Sequence, residues 1–118
     1  MTNKSLEALL FLFFLGYFGY ANSSDTPTEE SEVVAGNVEA GEARYNKTCV
    51  NCHGAAGQGA ASFPKVSGND IPYTISKLET YREGTKIGPN SSLMIMMAKP
   101  LTDEEIADLA AYLKEAEN

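Results

Sequence analysis

Cys49-Val50-Asn51-Cys52-His53 contains both cysteines and the single histidine of this 118-residue chain, and this stretch decides the fold. The pattern C-x-x-C-H is typical of a c-type haem attachment site. Residues three apart share one face of a helical turn, so Cys49 and Cys52 can form thioether bonds to the two vinyl groups of one haem. His53 follows in position to offer an imidazole nitrogen to the iron. The sequence therefore predicts one covalently bound haem c.

Three other interpretations of the two cysteines fit less well. Structural zinc usually has four Cys or His ligands, and this chain has three such residues. A thioredoxin-type dithiol needs a strand and a helix around it, whereas Gly54, Gly57 and Gly59 after the motif favour a loop. A structural disulfide would leave unexplained why the only histidine directly follows Cys52.

The first 37 residues differ in composition from the rest. Lys4 precedes an uncharged apolar run at 8–18, with Gly19 and Ala21 after it, which is typical of a signal peptide. We expect residues 1–21 to be a signal peptide that is cut after Ala21. An uncleaved membrane anchor is the alternative, although a spanning helix needs about twenty apolar residues. Residues 22–37 are polar and acidic, and we expect them to form a flexible lead-in.

The remaining residues, 38–118, are predicted to form one domain in the periplasm, since covalent haem attachment in bacteria is expected outside the cytoplasm. A core of this size gives marginal stability alone, and a bound haem adds apolar surface for packing. Gly41, Tyr45 and Thr48 recur at helical spacing and predict a first helix that ends at the haem motif. A second helix is predicted to begin near Pro72 and to end at Gly84.

The last helix has the clearest signal. Thr102-Asp103-Glu104-Glu105 is a capping box. An apolar stripe follows at helical spacing, formed by Ile106, Leu109, Ala110, Tyr112 and Leu113. No stretch alternates with period two, so we expect an all-α domain of three to four helices with long loops around one haem.

The remaining soft donors for the sixth position of the iron are Met94, Met96 and Met97. A methionine usually fills gaps in a core, but three within four residues, just before the last helix, favour a ligand among them. His/Met ligation fills both axial positions and suits electron transfer.

Together these features resemble a small bacterial class I cytochrome c of the monohaem periplasmic type, and also each half of the dihaem carriers. The resemblance spans residues 41–113. It is carried by the haem motif, by Phe63-Pro64, by Tyr81-Arg82-Glu83-Gly84 and by Met94-Ile95-Met96-Met97-Ala98-Lys99-Pro100-Leu101-Thr102-Asp103-Glu104-Glu105-Ile106. The chain departs from better-known members in having no tryptophan and a short loop at 85–92, which suggests the compact bacterial type.

The resemblance implies specific roles for several residues. It implies that Met94 ligates the iron, with Met97 as the second candidate. It also implies that the carbonyl of Pro64 accepts a hydrogen bond from the imidazole of His53, which would fix the ring. The first and last helices are then expected to cross at Gly41, Tyr45, Leu109 and Tyr112.

For function, the resemblance implies a monomeric periplasmic one-electron carrier rather than an enzyme. Its partners would be redox proteins: a quinol-oxidising complex or dehydrogenase as donor, and a terminal oxidase or reductase as acceptor. The alternatives are a haem c subunit of a larger dehydrogenase, and a ligand-binding or peroxidatic haem protein with a labile sixth ligand. A formal net charge of −7 disfavours nucleic acid as a partner. Membrane contact is expected only if residues 1–21 are retained.

The charged residues of the domain suggest two surfaces. We expect a solvated acidic face on the last helix, formed by Asp103, Glu104, Glu105 and Asp108. Segments expected to approach the haem rim carry four lysines that could form a docking surface: Lys65, Lys77, Lys86 and Lys99.

Overall fold

The computed structural model describes residues 35–116, and the predicted signal peptide and most of the predicted lead-in lie outside this range. The described residues form five α-helices: Val38–Thr48 (α1), Val50–His53 (α2), Ile71–Arg82 (α3), Ser91–Ala98 (α4) and Asp103–Glu115 (α5). A 3-10 turn, Ala55–Gly57, follows α2. No strand occurs within this range, so the prediction of an all-α domain is confirmed, with more helices than expected. None of these helices is long and apolar enough to cross a membrane.

The first helix begins at a polar cap and ends at the haem motif. The side chain of Asn37 accepts a hydrogen bond from the amide of Ala40 at 2.9 Å, which satisfies one of the free N–H groups of the first turn. Cys49 keeps helical backbone angles, so α2 continues the path of α1 by one turn. Gly54 ends this path with φ of 75°, a conformation that glycine adopts without strain.

The central contact of the fold is the crossing of α1 and α5. A Cβ atom built on Gly41 would lie 2.0 Å from the carbonyl oxygen of Asp108, so the two backbones touch where glycine has no side chain. The rings of Tyr45 and Tyr112 lie 5.5 Å apart beside this point. Leu109 is buried in the same core. The residues expected at the crossing are thus found in one cluster.

The predicted capping box at the start of α5 is confirmed. The hydroxyl of Thr102 accepts a hydrogen bond from the amide of Glu105 at 3.1 Å, and the carboxylate of Glu105 accepts one from the amide of Thr102 at 3.0 Å. The same carboxylate pairs with Arg44 on α1 at 3.0 Å. The first turn of α5 is therefore fixed to α1 as well as capped.

The prediction for Asp108 is wrong. Asp103 and Glu104 are exposed, as expected, but Asp108 is only 8% exposed and accepts a hydrogen bond from the backbone amide of Asn37 at 2.6 Å. The start of α1 passes over α5 at this position, because glycine at 36 and 41 lets the two backbones approach. The carboxylate there meets the positive end of the α1 dipole instead of water.

The helix α4 was not predicted as a separate element. Its sequence from Leu93 to Ala98 is continuously apolar, so it has no helical period that would distinguish it from a buried loop. In the structure α4 packs against α3, and Ala98 at its end is fully buried. Arg82, at the end of α3, then binds the carbonyl of Leu101 at 3.2 Å and the carboxylate of Asp103 at 2.7 Å. These bonds fix the chain between α4 and α5.

Candidate functional site

The helices enclose a cleft of about 500 Å³ that contains every site residue predicted from the sequence. Cys49, Cys52, His53, Pro64 and Met94 all line it. The lining is otherwise mostly apolar and comes from all five α-helices and from the loops at 62–69 and 87–90. His53 and Met94, which are 41 positions apart in the sequence, therefore line the same cleft.

The two cysteines are presented by a continuous helical turn. The amide of Cys49 donates to the carbonyl of Tyr45 at 2.9 Å, and the amide of His53 donates to the carbonyl of Cys49 at 2.9 Å. Both cysteines line the cleft, and they form no disulfide with each other. The spacing of three residues therefore places both sulfur atoms toward one ligand, as the motif predicts. Within residues 35–116 no group of three His, Cys, Asp or Glu side chains forms a metal site of the zinc type.

The imidazole of His53 is buried, with 8% of the residue exposed, and its orientation is fixed. Its Nδ1 atom lies 2.8 Å from the carbonyl oxygen of Pro64. Because a carbonyl oxygen can only accept, Nδ1 must carry the proton, and Nε2 then keeps its lone pair for a metal. The ring of Phe63 packs edge-on at 6.3 Å and further restricts the imidazole. The hydrogen bond that the resemblance implied is therefore present.

The loop that carries Pro64 is folded by its own backbone. Ala60 and Phe63 pair through two backbone hydrogen bonds of 3.2 and 2.9 Å. The amide of Val66 then donates to the carbonyl of Gly57 at 2.8 Å, which closes the loop against α2. These bonds hold the Pro64 carbonyl beside the histidine without any contribution from a regular strand.

Tyr45 is a buried residue of the cleft wall. It is 1% exposed, and its hydroxyl donates to the carbonyl of Gly54 at 2.7 Å, directly after the histidine. Burial is the largest cause that raises the pKa of this phenol to about 12, and the charge of an ionised Cys49 adds to it. A thioether has no ionisable proton, so only burial and the tyrosine neighbour would keep the pKa raised once Cys49 is bonded.

Helix α4 brings two of the three candidate methionines to the cleft. Met94 and Met97 line it, whereas Met96 points elsewhere and is 58% exposed. Met94 is half-buried and Met97 is 39% exposed. Both sulfur candidates that the sequence favoured are therefore at the site, and Met96 is not.

One residue of the site was missed from the sequence. Ser91 lines the cleft, is 3% exposed, and its hydroxyl accepts hydrogen bonds from the amides of Ile87 and Gly88 at 2.8 and 2.7 Å. It thereby fixes the loop that precedes α4 and the position of the methionines after it. The signal was a serine directly after the turn-forming pair Pro89-Asn90, where a hydroxyl often binds backbone amides.

The donor set and the lining fit a haem. Two thiols at the right spacing, an imidazole whose free nitrogen is Nε2, and thioether sulfur from α4 meet in one mostly apolar cleft. Cys49 and Cys52 would hold the porphyrin, and His53 would hold the iron. Of the described residues that line the cleft, none is acidic.

Comparisons with known proteins agree with this geometry. The Cytochrome c family model matches residues 38–117. Cytochrome c-554(548) of Halomonas halodenitrificans is 45% identical over 84 residues, which are 70% of this chain and 100% of that protein. The thiosulfate dehydrogenase electron acceptor of Stutzerimonas stutzeri is 38% identical over 65 residues, which are 54% of this chain and 30% of that protein.

A solved structure has the same fold. The cytochrome c4 of Acidithiobacillus ferrooxidans aligns with a TM-score of 0.60 at 34% identity, covering 66% of this chain and 48% of that one. The chain thus spans the whole of one relative and half or less of the other two. The helices around the cleft are those of a class I cytochrome c, and the Cys49 to Cys52 pattern corresponds to one covalently bound c-type haem. The chain belongs to the cytochrome c family.

Proposed function

We propose that the protein is a periplasmic one-electron carrier whose haem is bonded to Cys49 and Cys52 and ligated by His53 and Met94. The observation that carries the proposal is the 2.8 Å bond from Nδ1 of His53 to the carbonyl of Pro64, which leaves Nε2 free to bind iron. When bound, the haem supplies an iron that gains and loses one electron. A methionine at the sixth position leaves no open site for oxygen or peroxide.

The residues around the cleft would assist electron transfer by keeping the geometry of the haem site the same in both oxidation states. The Pro64 carbonyl keeps the imidazole in one orientation, and Ser91 keeps the start of α4 in place. Leu78, Leu109 and Leu113 line the cleft and exclude water from it. A haem site with nearly the same geometry in both oxidation states can be oxidised and reduced without the breaking of any bond.

The choice of the sixth iron ligand between Met94 and Met97 follows from their burial and from their positions in the sequence. Met94 and Met97 both line the cleft, but Met94 is the more buried of the two and matches the family position. We assign Met94 as the ligand and Met97 as a packing residue. A relative that is named an electron acceptor of a dehydrogenase supports a dehydrogenase as the donor. A quinol-oxidising complex, which the family resemblance implies, is the second candidate donor.

Three matched substitutions test the ligand. A sulfur-to-iron charge-transfer band is expected in the far red of the ferric spectrum. Met94→Ala should abolish this band and lower the reduction potential, whereas Met97→Ala and Met96→Ala should keep both. Loss of the band only in Met97→Ala would reassign the ligand. A wild-type protein without the band and with a high-spin ferric signal would support the ligand-binding alternative instead.

The location of the protein is tested separately. We expect the haem-loaded protein in the periplasmic fraction, with an N-terminal sequence that begins at Asn22. Recovery in the membrane fraction with residues 1–21 retained would support the anchored form.

Copurification with a flavin or molybdenum protein in a fixed ratio would support the dehydrogenase-subunit alternative.

A further inference from the structure

A line of polar contacts runs from the start of α5 to the sulfur of Cys49. The carboxylate of Glu105 accepts a hydrogen bond from Nε of Arg44 at 3.0 Å, and Nη1 of the same arginine donates to the hydroxyl of Thr48 at 2.9 Å. The oxygen of this hydroxyl lies 3.7 Å from the sulfur of Cys49, within the range of a hydrogen bond to sulfur. Printed contacts therefore join the α5 cap to one of the two sulfur atoms of the haem motif.

The arginine in this line is held in one orientation. Arg44 and Thr48 are four residues apart on α1, so their side chains lie on the same face of the helix. The Arg44 side chain is only 14% exposed, and its Nε is bound by Glu105, whose other carboxylate oxygen accepts the amide of Thr102. Because a guanidinium is planar and rigid, the bond at Nε also fixes the direction of Nη1. The hydroxyl of Thr48 thereby has a fixed, charged donor.

The direction of the bond to sulfur follows from the donors and acceptors present. A guanidinium can only donate, so the Thr48 oxygen accepts from Arg44 and its single hydrogen remains available for another acceptor. As a thiol, Cys49 could be either donor or acceptor toward this hydroxyl. Once its sulfur is bonded to the haem, Cys49 has no hydrogen left and can only accept. In the haem-loaded protein Thr48 must therefore be the donor in this pair.

We propose that Thr48 donates a hydrogen bond to the thioether sulfur of Cys49 and thereby raises the reduction potential of the haem, with Arg44 as the positioning residue that holds and polarises the hydroxyl. This inference rests on the covalently bound haem and on the proposed carrier function. A hydrogen bond to the sulfur draws electron density away from the porphyrin, which favours the ferrous state. The charge of Arg44 strengthens the donor, because the guanidinium is largely shielded from water.

Potentiometric titration of the holoprotein tests the effect on the haem. Dithionite gives one electron to each ferric haem, and hexacyanoferrate(III) takes one electron from each ferrous haem and becomes hexacyanoferrate(II). Thr48→Val keeps the shape of the side chain without its hydroxyl, and at a fixed ambient potential its ratio of ferric to ferrous haem should rise about two- to threefold. This rise corresponds to a fall in reduction potential of about 20–30 mV, at about 59 mV per tenfold change for one electron. Thr48→Ser retains the hydroxyl and should keep the wild-type ratio.

Two further variants locate the effect. Arg44→Gln removes the charge beside the hydroxyl, so the ratio of ferric to ferrous haem should rise, and adding Thr48→Val in this background should change it less than in wild type. Thr80→Val is the matched control, because Thr80 is a helical threonine outside the cleft lining whose hydroxyl donates to the carbonyl of Ser76 at 2.7 Å. This control should keep the wild-type ratio. A ratio for Thr48→Val equal to that of Thr80→Val or of Thr48→Ser would overturn the proposal.

Proton NMR of the reduced holoprotein detects the hydrogen bond itself. The hydroxyl proton of Thr48 should exchange slowly with water and show a through-space contact with the β-protons of Cys49. Absence of this signal from the wild-type spectrum would refute the bond.

The carrier function has a separate readout. If Thr48→Val keeps both the far-red band and the wild-type potential, this inference fails and the carrier function stands. A wild-type haem that cannot be reduced and reoxidised reversibly would refute the carrier function, and this inference with it.

Discussion

Replacing Gly41 by alanine should loosen the contact on which the whole domain depends. The new Cβ would lie 2.0 Å from the carbonyl oxygen and 2.5 Å from the carbonyl carbon of Asp108, and 2.8 Å from the Cβ of Tyr112. Ordinary van der Waals contact begins near 3.4 Å, so α1 and α5 would have to separate by about 1.4 Å. The blocking atoms are mostly backbone, so a change of rotamer cannot relieve the clash.

The expected loss can be estimated from three effects. Overpacking of a core costs about 1–3 kcal/mol, and backbone against backbone should be near the upper end. Separation of the helices also weakens the contact between the rings of Tyr45 and Tyr112, which is worth about 0.5–1.5 kcal/mol. Alanine in place of glycine inside a helix returns about 1 kcal/mol. We expect the free energy of unfolding to fall by about 2–3 kcal/mol.

Guanidinium unfolding of the holoprotein, followed by far-UV circular dichroism, measures this loss. With a denaturant dependence of about 3 kcal/mol per molar for a small domain, the midpoint should fall by about 0.7–1 M. The matched control is Gly88→Ala, where a Cβ meets nothing within 4 Å, and it should change stability by less than about 0.5 kcal/mol. If Gly41→Ala is no less stable than Gly88→Ala, the helix crossing is not as close as described.

Three further changes test separate contacts by the same unfolding measurement. Tyr45→Phe should cost about 1 kcal/mol at neutral pH through the lost hydroxyl bond. Burial keeps the pKa of Tyr45 above its usual value of 10.0 in the holoprotein, so its contribution to stability is complete below pH 10 and is lost as the pH rises through the raised pKa. The variant should lose this slope and keep only the part from Tyr112. Thr102→Ala should cost about 1 kcal/mol by removing the helix cap, and Thr102→Ser should recover most of it. Asp108→Ala should cost about 1.5–3 kcal/mol by leaving the amide of Asn37 without an acceptor, whereas Asp108→Asn should cost less; equal losses would mean that the charge, not the hydrogen bond, is what matters.

The parts of the fold that the residue pattern predicted without the family resemblance are those with local causes. The capping box at Thr102 is satisfied by atoms three residues apart, and it can be identified without any tertiary contact. The spacing of Cys49 and Cys52 likewise describes one helical turn. Pro72 in the first turn of α3 and Gly84 after its end are also local signals, and both lie where expected. In each case the residues that decide the structure are neighbours in the chain.

The parts that the sequence did not predict depend on distant neighbours. Leu93 to Ala98 form a helix because α3 lies on one side and the cleft on another, and the apolar run itself has no period. Ser91 could be read as a loop serine, and its buried position became clear only from the backbone amides that it binds. An apolar run and a serine in a turn each fit several structures until their partners are known.

Asp108 shows why a charge pattern cannot separate a solvated carboxylate from a buried one. In sequence it is one more acid on an acidic helix, and what distinguishes it is the approach of α1, which depends on glycine at 36 and 41. The same approach also affects the site, because α1 leads directly into Cys49 while α5 supplies Leu109 and Leu113 to the cleft wall. A displacement at Gly41 should therefore move the haem-binding turn relative to that wall. Stability and the reduction potential are then expected to change together in Gly41→Ala, whereas the surface cap at Thr102 should change stability alone.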